Sequence, residues 1–246
     1  MTDGIFPADA VVRRVDGEGV LLLGGGRALL MQLAHPLVAR GVAEHSDFGG
    51  DPFARLRRTL QATYTMVFGT EKQARNVAAV IKAVHRRVTG PGYEANDPEL
   101  LLWVHATLVD SALRVHHRFL GGLSAADAER YYDESKIVGG LLGIPDDVHP
   151  ETLADFRGYV RHMVGTLEVG DDARRLADDI LRPRTPIVVQ PVLELARQLT
   201  IGLLPSPLRE GYGYRWDAPR QAALLAASAA ARQVLPRIPG PLRRVA

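Results

Sequence analysis

The side chain best placed for chemistry lies in IKAVHRRVTG, residues 81–90. Val77, Ile81, Val84 and Val88 recur at spacings of four, three and four, the period of an amphipathic helix. His85 follows Ile81 by about one turn and leans toward the same apolar face. An imidazole drawn into an apolar interior needs a partner, because an unpaired buried polar group costs about 1–3 kcal/mol. A carbonyl, a carboxylate or a metal ion would serve.

A second set lies in DPFARLRRTL, residues 51–60. Arg55 and Thr59 are four apart and project about 40° from one another on a helix, with Arg58 on a neighbouring line. A guanidinium and a hydroxyl on one face can bind a haem propionate or donate to an iron-bound oxygen. The plain alternative is a solvated arginine and a threonine bonded back to its own helix. Eight histidines are present. His105, in LLWVHATLVD, is embedded among apolar residues as His85 is. His45, in AEHSDF, follows a helix end, and His35, in LAHPLV, stands at an expected kink before Pro36. His116 and His117 read as exposed, while His149 and His162 show no partner pattern.

Several chemistries are disfavoured or excluded. Cysteine is absent, which removes disulfides, thiolate-ligated haem, iron–sulfur clusters and a Cys nucleophile. There is neither an HExxH nor the Glu-x-x-His pairing of di-iron bundles. One axial imidazole in an apolar pocket is, by contrast, what a haem site needs. The run LLLGGGRALL (21–30) matches no phosphate-loop pattern. Its glycines read as permitting a tight turn or close packing against another group, a flat ligand included.

Elements with helical period must position these residues. They run over 25–44, 51–68, 71–89, 97–120, 124–142, 150–168, 171–182, 187–203 and 217–235. Asp51-Pro52 and Asp97-Pro98 put a capping side chain before a proline, and Ser124 caps AADAE. Gly69, Gly90, Gly121-Gly122 and Gly143 stand where helices should stop. Alternating strand patterns are scarce. The expectation is an all-α fold: one globular domain of eight to ten helices. The stretch 185–208 reads as a core helix, or as a wall of a hydrophobic pocket or a partner face; the tail 237–246 reads as loosely held. The 246 residues are 46% hydrophobic and 24% charged, and 30 basic against 28 acidic residues leave a formal charge of +2. With the signs mixed along the chain there is no nucleic-acid footprint. No secretory pattern opens the chain, and residues 20–39 fall short of a stable membrane span, so a cytoplasmic protein is expected.

Together VLLLGGGRALLMQLAHPLVARGVAEHSDF, RLRRT, IKAVHRRV and DPELLLWVHATLVDS resemble the DUF2236 family, the oxygenase MpaB / rubber oxygenase catalytic domain, over residues 15–235. The resemblance implies an all-helical fold around haem b. His85 matches the family's axial histidine, the ligand of the haem iron. Arg55 and Thr59 match the Arg-x-x-x-Thr helix beside the haem. Where rubber oxygenases carry a lysine able to reach the iron, this chain has Arg58, which stays protonated and cannot ligate. The sixth position is then open, water-filled or taken by another histidine, His105 first and His45 second. The implied activity is a haem-dependent oxygenase using dioxygen on a small hydrophobic substrate, isoprenoid or otherwise unsaturated. A non-catalytic haem-binding or haem-sensing protein with a second histidine ligand, and a cofactor-free helical interaction module, stand as alternatives. The apolar segment 187–203 offers a homodimer contact.

Overall fold

Local chemistry sets the helix ends. Thr70 and Gln73 form a capping box, as do Thr152 and Asp155. The Asp97 carboxylate accepts from the backbone N–H groups of Glu99 and Leu100, Ser124 from Asp127, and Asp217 from Arg220. Gly121 and Gly143 end their helices at φ of +93° and +107°, a conformation that a Cβ would strain. A computed structural model describes residues 4–45, 52–183 and 185–245, and the side chains of all of these except 52–58 and 187.

In chain order the helices are α1 (Val11–Asp16), α2 (Gly25–Leu33), α3 (Pro36–His45), α4 (Pro52–Phe68), α5 (Glu71–His85), α6 (Pro98–Leu120), α7 (Ala125–Leu142), α8 (Leu153–Thr166), α9 (Asp171–Leu181), α10 (Gln190–Leu203), α11 (Ser206–Gly211), α12 (Ala218–Val234) and α13 (Gly240–Arg243). One two-residue hairpin, β1 (Thr89–Gly90) and β2 (Tyr93–Glu94), pairs antiparallel between α5 and α6. The fold is all-α, as expected.

α6 is the central element, packed on α2, α7, α8 and α12. It buries Leu100–Trp103, His105–Thr107, Val109, Ser111, Val115 and Phe119. Burying each large aliphatic or Phe side chain is worth about 1.5–3 kcal/mol, so this face dominates the packing. The Trp103 indole is fully buried and donates to the Met31 carbonyl at 3.2 Å, which ties α6 to α2. One continuous apolar cluster runs from Phe6 to Tyr212.

Five sequence readings need correction. The expected helix 25–44 is two helices whose axes turn by 102°, because Pro36 breaks the ladder at Ala34–His35. The expected helix 71–89 stops at His85, and Thr89–Gly90 joins the hairpin instead. Among the described side chains of the segment 187–203, the buried ones are its last four, Thr200–Leu203, while Val188, Val192 and Leu195 are 82%, 69% and 61% exposed. It is therefore a core helix at one end only. The tail is not loose: Arg243 Nε meets Glu18 Oε2 at 2.8 Å, and the Val245 N–H donates to the Gly17 carbonyl. Finally, α1 and α11 each span six residues, too short for periodicity to mark.

The glycine run is resolved as close packing. A Cβ on Gly26 would stand 2.3 Å from the Thr200 hydroxyl, so α2 and α10 approach as only glycine allows. Beside it, Arg27 is buried, and its guanidinium donates to the Leu203 carbonyl, Ser111 Oγ and Asp110 Oδ2 at 2.8, 2.7 and 2.6 Å. Among the described residues no single helix is long and apolar enough to cross a membrane.

Candidate functional site

His85 is the last residue of α5. Ala74, Ala78 and Ile81 precede it at helical spacing; the first two are buried and Ile81 packs on the core. The ring thus continues the inward line of α5. It is half-buried, and its Nδ1 has no hydrogen-bond partner among the described residues. Burial pushes its pKa below the usual histidine value, which favours a neutral imidazole with a free lone pair. One turn earlier, the Lys82 carbonyl accepts from Asn96 Nδ2 at 3.3 Å, while Asn96 Oδ1 is buried and unpartnered. The end of α5 therefore carries two buried polar atoms without a partner among the described residues, a demand that a ligand or an ordered water would meet.

A groove of about 470 Å³ runs between α4 and α5, lined by Gln61, Ala62, Thr65, Asn76, Val77, Val80 and Ile81. That volume lies within the range of small-molecule pockets. Val80 and Val84 leave apolar surface exposed on the same helix. A neutral imidazole near valines and isoleucine has the chemistry a haem would need, a nitrogen lone pair for iron and apolar contact for a porphyrin.

The other sequence candidates are distributed as follows. Thr59 is exposed on α4, and its carbonyl accepts from Thr63 Oγ1 at 3.0 Å. Arg55 and Arg58 lie on the same helix, but their side chains are outside the described residues. His45 ends α3, and its Nε2 pairs with the Thr89 carbonyl at 3.1 Å, clamping α3 to the hairpin. Beside it, Tyr93 donates to Glu44. His105 is buried on α6, and its ring meets that of His149, in the connection between α7 and α8, edge-to-face. α4 and α5 pack together, so Arg55, Arg58 and Thr59 share a helix pair with His85. His105 lies on α6, beside His149. Asn96 and the His149 partnership went unnoticed in the sequence, because neither has a local spacing signal. Arg27 had one: a lone cation inside LLLGGGRALLMQL, with no acid a turn away.

Comparison with known proteins adds a lineage. A family model described as "ER-bound oxygenase mpaB/B'/Rubber oxygenase, catalytic domain" matches residues 12–233. Uncharacterized proteins of Mycobacterium bovis and Mycobacterium tuberculosis are each 30% identical over 155 residues, which cover 59% of this chain and 61% of theirs. The match thus spans less than two thirds of either relative. No solved structure matches this chain.

Proposed function

Because the chain belongs to the mpaB/rubber oxygenase catalytic-domain family, we propose that it is a haem b-dependent oxygenase acting on a small hydrophobic, unsaturated substrate. The observation that supports the cofactor is His85: a half-buried imidazole, biased to the neutral form by burial, with a ring nitrogen unpaired among the described residues, one turn beyond Ile81, which lines the groove between α4 and α5. His85 would hold the iron. Arg55 and Thr59 on α4 would engage the acidic edge of the macrocycle or donate to oxygen, and Arg58 adds positive charge without offering a lone pair. Bound haem would supply the redox-active iron that activates dioxygen. Val77, Val80, Ile81 and Val84 would exclude water from that face of α5 and give an apolar substrate its contact. His45 acts as a clamp on the hairpin that follows His85, a positioning task.

The test is His85→Ala in protein expressed with haem supplied. Soret absorbance is expected to fall to background while helical circular dichroism stays at the wild-type level. Undiminished haem in that variant would remove His85 as the axial ligand and with it this reading.

A further inference from the structure

Away from His85, two more imidazoles share one buried spot. His105 is 7% exposed and His149 9% exposed, and the Nε2 atom of each is buried without a partner among the described residues. Their ring centroids are 6.0 Å apart at 82°. Both rings close on Gly139 of α7. A Cβ there would stand 2.9 Å from His149 Nε2, 2.6 Å from its Cε1 and 3.3 Å from His105 Cδ2. Glycine leaves the room the two rings use. The other nitrogen of His105 is directed at the Ser135 carbonyl. That bond keeps the proton on Nδ1 and leaves the buried Nε2 lone pair without a partner among the described residues. A backbone carbonyl holding the far N–H is the usual support of a metal-ligating histidine.

We propose that His105 and His149 form a two-imidazole site for a single Cu(I) ion, separate from His85. The choice of ion follows from charge and donor number. Among the described residues, no group of three or more His, Cys, Asp or Glu side chains is placed to hold a metal. A divalent zinc ion prefers four ligands and brings two charges into a buried setting. Cu(I) is content with two imidazoles in line and brings one charge. Lys136 adds positive charge near His149, with Asp146 opposing it, which again disfavours a divalent ion. One ion held between the two rings would satisfy both unpaired nitrogens.

The test is anaerobic titration with Cu(I) in competition with a chromogenic chelator, on wild type, His149→Ala, Gly139→Ala and His85→Ala. His149 lies in the connection between α7 and α8, outside any helix, so its truncation leaves the helical frame intact. Wild type and His85→Ala are expected to take one equivalent, with affinity at least tenfold above His149→Ala and Gly139→Ala. X-ray absorption of the loaded wild type should report two-coordinate nitrogen ligation. Equal uptake by wild type and His149→Ala, or no uptake by either, would overturn the proposal. Retention in His85→Ala keeps it independent of the haem assignment.

Discussion

Arg27 offers the sharpest test of how the helical frame is held. Its guanidinium is 4% exposed and joins α2 to α6 through Asp110 and Ser111, and to α10 through the Leu203 carbonyl. Arg27→Ala removes one member of a buried pair and leaves the Asp110 carboxylate uncompensated, a change that costs about 3–5 kcal/mol. Asp110 is 23% exposed, so water relieves part of its charge and places this contribution near the lower bound. The Ser111 hydroxyl and Leu203 carbonyl also lose a charged donor, which restores the total to about 4 kcal/mol. At roughly 2–4 °C per kcal/mol for a chain of this size, the midpoint should fall by about 8–16 °C. Arg27→Lys keeps the charge but cannot span three acceptors with one ammonium, so it should lose about half as much. Urea denaturation followed by circular dichroism gives both numbers, provided the slope m is unchanged. If Arg27→Ala lies within 1 kcal/mol of wild type at equal m, the three contacts do not hold the helices together and the argument fails.

Other consequences are smaller but direct. Gly26→Ala pushes a methyl to within 2.3 Å of the Thr200 hydroxyl and should cost about 1–3 kcal/mol; Thr200→Ala in the same chain should recover most of it, and absence of recovery would place the strain elsewhere. Burial holds the Asp16 carboxyl up at about 7, against the opposing pull of the Tyr131 hydroxyl that donates to it at 3.0 Å. The folded chain therefore binds this proton more tightly than the unfolded chain. The stabilisation is complete below about pH 4 and is lost as pH rises through 7, on the order of a few kcal/mol. Asp16→Asn should flatten that decline when urea midpoints at pH 5 and pH 8 are compared, and an unchanged decline would assign it to other groups. Thr59→Val should lower oxygenase turnover more than haem content, read by oxygen consumption per Soret unit; parallel losses would make Thr59 structural.

The all-α class and most helix ends were legible in the sequence because their causes are local. Asp97-Pro98, Ser124, Gly121 and Gly143 act on the backbone within a turn of themselves, so their effect is the same in any fold. The inward lean of His85 was legible for the same reason: three and four residues set the direction of a helical side chain. The end of α5 at His85 was not, because the hairpin after it competes for the same residues. Nor was the exposure of Val188, Val192 and Leu195, since an apolar stripe reads alike whether or not another helix covers it.

What the chain alone determined is thus most of the longer helices and which of their residues share a face. Only the tertiary structure decided which faces meet. It gave His45 to the Thr89 carbonyl, paired His105 with His149 across Gly139, and seated Arg27 on Leu203, a residue 176 positions away. The physical reason is range. Capping and periodicity operate over one or two turns, whereas these contacts join residues dozens to well over a hundred positions apart and form only once the core has packed.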